Sequence, residues 1–237
     1  MKKLPARTIA AWTATFREKK LFGLDCKARP EACHQPQRTI GAFCIDQAEV
    51  TAGAYRLCVQ AGRCTTTHLD CGPAATYGHA DRPTFPINCV DHGQAAAYCR
   101  ALGKRLPTRE EYGWAQSSGA YDGNGHLTPP WGGRYPNPDE AWASIGPAPL
   151  AGPGPVDGRP KGRTKQGVAG LFGNVREWSA PYASSDGSMV VAWLGYSYET
   201  TRKTPIGAGS STKAAAEAYD TATGFRCAAG PAAAKAD

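Results

Sequence analysis

The sequence has no cysteine pair at Cys-x-x-Cys spacing, no Gly-x-Ser-x-Gly segment and few sustained helical periodicities. It also has no apolar run long enough to cross a bilayer. Each absence removes a class. The histidines at 34, 68, 79, 92 and 126 fall outside zinc-finger intervals, so a structural zinc site is not expected. Without about 18 consecutive apolar residues no transmembrane segment is expected. Without the strained Ser turn there is no sign of hydrolase chemistry. Basic charge is missing where a nucleic-acid binder would carry it. The net charge is +7, but residues 1–38 hold nine Lys/Arg against three Asp/Glu, and residues 39–237 hold eighteen against seventeen. The part expected to fold is nearly neutral, so nucleic acid is not an expected partner.

What is present is loop. Gly (28) and Pro (19) make up about a fifth of 237 residues, above the average of roughly 12% and below the range of low-complexity chains. A chain of this length can bury ~70–75% of its unfolded surface. One main domain with short strands and few helices, an α+β architecture, is the expectation. Cysteine is plentiful, at positions 26, 33, 44, 58, 64, 71, 89, 99 and 227. Disulfides are preferred to metal ligation, which implies an oxidising compartment and an extracytoplasmic or secreted protein. The odd count leaves at least one thiol free or paired between chains.

The strongest local signal is Phe85–Gln116. A buried strand is expected before Asp91, which caps a helix with Gln94 completing a capping box. Ala95, Tyr98, Cys99 and Leu102 then share one apolar stripe, and Gly103 ends the helix. Thr108 caps a second helix with Glu111, while Pro107 keeps Leu106 extended. Upstream, Phe43 and Ile45 alternate with Cys44 and Asp46 as a strand, and Thr51 caps a helix stopped by Gly62.

A basic N-terminal segment, 1–37, is expected to precede a domain over 38–230, followed by a tail, 231–237. Lys2 and Lys3 resemble the start of an export signal, but no clear cleavage site follows. Ile9, Trp12 and Phe16 fit one helical face, and two uses of 1–25 are open: docking on a membrane surface or partner, or packing on its own domain. The second is preferred. Residues 65–84 read as a solvated loop, and Arg159–Lys165 as an exposed basic run.

Several motifs carry a family resemblance. Glu49-Val50-Thr51 with Tyr55, Arg105-Leu106-Pro107-Thr108 with Glu111 and Trp114, Pro130-Trp131-Gly132, Gly173-Asn174-Val175 with Glu177-Trp178, and Gly224-Phe225-Arg226 occur in the order seen in the formylglycine-generating enzymes. These carry the sulfatase-modifying-factor domain. The resemblance covers about 38–229 and is similar to divergent, Cys-rich bacterial members. It implies an elaborated C-type lectin-like fold with little regular secondary structure. It also implies a disulfide between Cys99 and Cys227.

The family's enzymes oxidise a peptide cysteine using copper(I) held by two thiolates, ligands that suit this soft ion. Their cysteines follow an Arg-Gly-Gly-Ser-Trp segment that this chain lacks, and no cysteine lies between Cys99 and Cys227. Copper and formylglycine generation are therefore not expected. Calcium is the one ion left open. The resemblance assigns it the carbonyls of Gly173 and Val175 and the carboxylate of Glu177, but Gly170 replaces the usual Asn or Asp and Arg176 the usual Trp. No other cofactor is expected.

Two functions follow. In the first, the scaffold is a non-catalytic recognition module for a protein or peptide. Its binding surface lies in 184–222, with Trp193, Tyr196, Tyr198, Arg202 and Tyr219 as contacts, since aromatic area beside Ser, Thr and Gly suits adaptable binding. Tyr198 and Tyr219 are expected to point outward. In the second, the chain is a metal-dependent oxidase of a peptide cysteine or small thiol, with a divergent site built from Cys, His and Asp in 64–92. Pairing of Cys26 with Cys33 and of Cys44 with Cys89 is also expected.

Overall fold

The computed structural model describes short strands at 2–4, 7–9, 20–21 and 24–25, and then the chain from 38 to 230 apart from 119–127, 133, 205 and 207–208. Three α-helices are described, each opened by the residue that the sequence nominates. Thr51 accepts from the Ala54 amide at 3.1 Å to start α1, Ala52–Gln60, and Gly62 past its end has φ +68°. Asp91 and Gln94 form the full capping box of α2, His92–Ala101. Thr108 and Glu111 do the same for α3, Arg109–Ser117. The boxes satisfy amides that no helical carbonyl can reach. Gly103 takes φ +66° after α2, as a C-terminal stop requires.

Two sheets hold the helices. Strand β1 (Lys2–Leu4), β6 (Phe43–Ile45) and β12 (Ala228–Ala229) form an antiparallel sheet in the order β1-β6-β12. Residues 2–4 of the basic segment thus lend a strand to the domain's own sheet. Ile9, assigned to a helical face, lies in β2 (Arg7–Ile9), which pairs with β5 (Arg38–Ile40). Trp12 and Phe16 lie outside the described residues. A small hairpin joins β3 (Lys20–Leu21) and β4 (Leu24–Asp25). The second sheet runs β10-β9-β7-β11, with β8 (Tyr182–Ala183) also on β9. Its members are β7 (Arg176–Trp178), β9 (Met189–Leu194), β10 (Ser211–Ala214) and β11 (Thr223–Gly224), of which β11 runs parallel to β7.

The chain between the sheets is extended but irregular. Val50 N donates to Phe225 O at 2.9 Å, Ile87 N to Val50 O at 2.8 Å, and Asp46 N to Cys227 O at 2.9 Å. These bonds lay 46–50 between the 225–227 segment and Ile87. The strand expected at 85–90 is reduced to a single bridge between Thr51 and Pro86. Cys89 explains the loss: its φ of +61° breaks the pleat, and its sulfur turns to Cys71.

Two large apolar clusters form most of the core, and a small third one holds Ala74, Tyr198 and Ala222. One gathers Phe43, Trp114, Trp131 and Phe172; the other gathers Tyr55, Tyr98, Trp178 and Phe225. Tyr55 stacks on Tyr98 at 5.6 Å, and Phe225 meets Tyr98 edge-on at 5.4 Å, an arrangement that the ring quadrupoles favour. Leu102 was expected in this stripe, yet it is 51% exposed. It is the C-cap of α2, where the backbone has left helical geometry and turned the position outward.

Three disulfides join described cysteines: Cys58–Cys64, Cys71–Cys89 and Cys99–Cys227. The last links α2 to the strand-end segment, as the family resemblance implies. The Cys44–Cys89 expectation fails because Cys89 is taken by Cys71, leaving Cys44 with a free thiol. Cys26 and Cys33 lie outside the described residues. The loop 65–84 is also less solvated than expected. Asn88 accepts from Thr76 N and Thr76 Oγ1 and donates to Ala74 O and Thr221 O, so Leu69, Ala74, Ala75 and Thr76 are buried. Disulfides of this kind point to an oxidising environment. Among the described residues no helix is long and apolar enough to cross a membrane.

Candidate functional site

The motif residues 173–178 and 224–227 meet at a buried charge centre. Strand β7 carries Glu177 inward, and the chain after β11 brings Arg226 to face it. Arg226 Nε donates to Glu177 Oε2 at 2.8 Å and its Nη2 donates to Oε1 at 2.7 Å; both side chains are fully buried. Tyr112 from α3 donates its hydroxyl to the same Oε1 at 3.1 Å, and Arg226 Nη2 also reaches Ala169 O at 2.8 Å. Burial and the neighbouring Glu177 charge hold the Tyr112 phenol well above its ordinary range. The guanidinium thus spends its fork on a matched carboxylate, the geometry that makes such burial tolerable.

A second carboxylate sits behind the first. Glu49 is buried, its Oε2 lies 3.8 Å from Arg226 Nη2, and Oε1 accepts from Asn174 Nδ2 at 3.0 Å. Among the described residues Oε2 has no hydrogen-bond donor. Burial pushes Glu49 up to about 7, opposed by Arg226 and reinforced by Glu177. Asn174, at φ +65°, also exchanges bonds with the Gly154 backbone and donates its amide to Trp142 O at 2.7 Å. It ties three loops together.

These residues do not fit the ions that the family resemblance brings to mind. Copper needs thiolates, but Cys227 is bridged to Cys99, and the sequence offers no other cysteine between them. Calcium wants six to eight oxygens. Glu177, assigned to it with the Gly173 and Val175 carbonyls, has already given both oxygens to Arg226. The space above Gly170, where a side-chain ligand is missing, is filled: a Cβ there would lie 2.2 Å from Glu49 Oε2. The three calcium candidates therefore belong to an internal ion pair and its flanking turn. Among the described residues no three His, Cys, Asp or Glu side chains gather as a metal site.

The oxidase site expected in 64–92 loses its thiols, since Cys64, Cys71 and Cys89 are all in disulfides. His92 Nε2 lies 3.1 Å from Ser179 O, its ring stands edge-on to Trp178, and burial lowers its basicity. His79 lies 3.9 Å from Asp81, and both side chains are exposed.

The structure divides the five residues assigned to the 184–222 surface. Tyr219 is 40% exposed and stacks on His68, with ring centres 4.1 Å apart. Arg202 is exposed and donates to Ile145 O at 2.6 Å. Tyr196 is half-buried against the first core cluster. Trp193, on β9, is half-buried under the Arg176 guanidinium, which is centred 3.9 Å from its ring and pairs with Asp220. Tyr198 leaves the surface altogether: it is 6% exposed, and its hydroxyl bonds Thr221 Oγ1 at 2.8 Å. It faces inward because its amide donates to Asn174 O and its carbonyl accepts from Ser144.

Glu49 and Tyr112 were not expected at any site. Glu49 stands in the quoted Glu-Val-Thr motif beside Val50, and that motif was the only signal for it. Nothing in the spacing of Tyr112 distinguishes it from a core aromatic.

The sequence profile described as "Sulfatase-modifying factor enzyme 1-like domain" matches residues 13–230. The chain is 32% identical over 174 residues to the bovine (Bos taurus) protein named inactive C-alpha-formylglycine-generating enzyme 2, covering 67% of this chain and 54% of that one. It is 30% identical over 158 residues to the formylglycine-generating enzyme of Mycobacterium tuberculosis, covering 57% and 50%. The chain thus spans about half the length of these curated relatives. PvdO from Pseudomonas aeruginosa superposes with a TM-score of 0.65 at 23% identity, over 95% of this chain and 92% of that one. Treponema denticola variable protein 1 superposes with a TM-score of 0.65 at 18% identity, over 98% and 95%. At such identities the likeness is one of fold.

Proposed function

The chain belongs to the sulfatase-modifying factor enzyme 1-like family, with its C-type lectin-like α+β fold, and we propose that within it the chain is a non-catalytic recognition module for a protein or peptide. The observation that carries this reading is the Cys99–Cys227 bridge, which consumes the one cysteine that the carboxyl-terminal region has. A relative 32% identical carries the printed name of an inactive enzyme, which is compatible with such a role.

The recognition surface is the exposed part of 184–222. Tyr219 stacked on His68, Arg202 and the outer edge of Trp193 supply aromatic and cationic contacts, while the Arg226 centre beneath keeps the loops in place. Rigid aromatics make contact area at low entropic cost. Placement in an extracytoplasmic or secreted setting belongs to the same proposal and is supported by the three disulfides.

The test is an assay of the copper(I)-loaded protein with a cysteine-containing peptide under oxygen, read by mass spectrometry for the aldehyde. No aldehyde supports the recognition reading; turnover would return the chain to the enzymes.

A further inference from the structure

The second sheet ends on an open edge. Strand β10 pairs with β9, whose other side is taken by β7 and β8. At the opposite end of the sheet β11 is buried, and a Cβ on its Gly224 would lie 2.5 Å from Ile87 O. Strand β10 has no such cover among the described residues: Thr212 and Lys213 are exposed, Ser211 and Ala214 half-buried. The register says which of its main-chain groups face outward. Gly195 N donates to Ser210 O at 3.0 Å, and these two stand opposite each other one step beyond the Leu194–Ser211 pair. Directly opposed residues of an antiparallel ladder alternate between hydrogen-bonded and non-bonded pairs. Thr212 with Trp193 and Ala214 with Val191 are therefore bonded pairs. Ser211 and Lys213 turn their N–H and C=O away from β9, and among the described residues none of these four groups has a hydrogen-bond partner.

Two donors and two acceptors repeated at about 7 Å along an extended chain are complementary to the main chain of another extended polypeptide. We propose that β10 takes an extended peptide segment of a partner protein as an added strand of this sheet, bonded to the main chain of Ser211 and Lys213. Strand addition of this kind draws its affinity from main-chain bonds. The inference rests on the recognition reading above and specifies how that surface holds its ligand, since β10 lies within 184–222, one strand out from Trp193. A second copy of the chain fits the edge less well. Laid antiparallel on its own copy about Thr212, β10 would bring two Lys213 ammoniums onto one face, and an edge lysine opposes such self-pairing.

The test selects linear peptides from a phage-displayed random library on the immobilised full chain and titrates the enriched peptides, made synthetically, by calorimetry. Binding should fall at least about tenfold in Lys213→Pro, which removes one outward N–H and blocks the edge. It should stay within about threefold of wild type in Lys213→Ala, which alters only an exposed side chain. Proline is tolerated on an edge strand where its missing N–H faces solvent, so Lys213→Pro is expected to keep a cooperative urea transition. N-methylation of the peptide reads the same contact without touching the protein: alternate positions should lose binding, and the positions between them should keep it. In hydrogen exchange the Ser211 and Lys213 amides should be fast in the free chain and slowed by the peptide. Peptides that bind Lys213→Pro as tightly as wild type and tolerate N-methylation at every position would overturn the edge proposal while leaving the recognition reading in place, as would edge amides already protected in the free chain. A library that yields no saturable binder would overturn both.

Discussion

Arg226 and Glu177 are 49 residues apart in the chain and joined by two parallel hydrogen bonds, 2.8 and 2.7 Å, with neither side chain exposed. This pair fastens the β7 motif to the carboxyl-terminal segment, and the disulfide next to it in sequence fastens that segment to α2. Removing one partner strands the other charge without solvent. Glu177→Leu and Arg226→Met should each cost about 3–5 kcal/mol, read from urea unfolding midpoints. The double variant should cost less than the sum, because both changes remove the same shared interaction.

Glu49 makes stability depend on pH in an unusual direction. Its folded carboxyl is pushed up to about 7 from an ordinary 4.5, so the folded state holds the proton more tightly than the unfolded one. The resulting stability is full below about 4.5 and is lost as pH rises through about 7. Glu49→Gln removes the titration. Wild type minus variant should therefore fall by on the order of 3 kcal/mol between pH 4.5 and 7.5, measured by denaturant titration at both pH values. A flat difference would mean that Arg226 keeps Glu49 ionised throughout.

The capped helices were legible in the sequence because a capping box is a contract among four consecutive residues. Asp91 with Gln94 and Thr108 with Glu111 needed no distant partner to be recognised. The same holds for the inward alternation of Phe43 and Ile45. The charge centre was not legible: Glu49, Tyr112, Glu177 and Arg226 come from four separated segments, and only the fold brings them together. Glu177 was read as a cation ligand because its partner could not be seen. Cys89 was matched to the wrong cysteine for a related reason, since its left-handed backbone turns its sulfur away from β6. The family motifs conveyed the Cys99–Cys227 link, which local pattern alone would not supply.

The tyrosines of the proposed surface should separate cleanly. Tyr198→Phe removes a buried hydroxyl that bonds Thr221 at 2.8 Å, and about 1 kcal/mol of stability should go with it. Tyr219→Ala touches an exposed ring and should change stability by less than about 0.5 kcal/mol. Thermal unfolding of the two variants measures both. Only the Tyr219 change should affect a partner that binds the surface.

The three bridges should rank by the length of chain that they close. Sequence separations are 128 for Cys99–Cys227, 18 for Cys71–Cys89 and 6 for Cys58–Cys64. Chain-entropy reasoning gives roughly 4–5, 3 and 2 kcal/mol in that order. Paired Cys→Ser variants, compared by urea midpoint, check the ranking.

The central claim is that a scaffold shared with cysteine-oxidising enzymes holds its carboxyl-terminal cysteine in a structural bridge, leaving no second thiol beside it in that region. The direct measurement is mass spectrometry of a cysteine peptide incubated under oxygen with the protein preloaded with copper(I), with the Cys99–Cys227 bridge checked in parallel by non-reducing peptide mapping. The account predicts an unmodified peptide and an intact bridge. An aldehyde formed at the peptide cysteine, in amounts exceeding the protein, would contradict it.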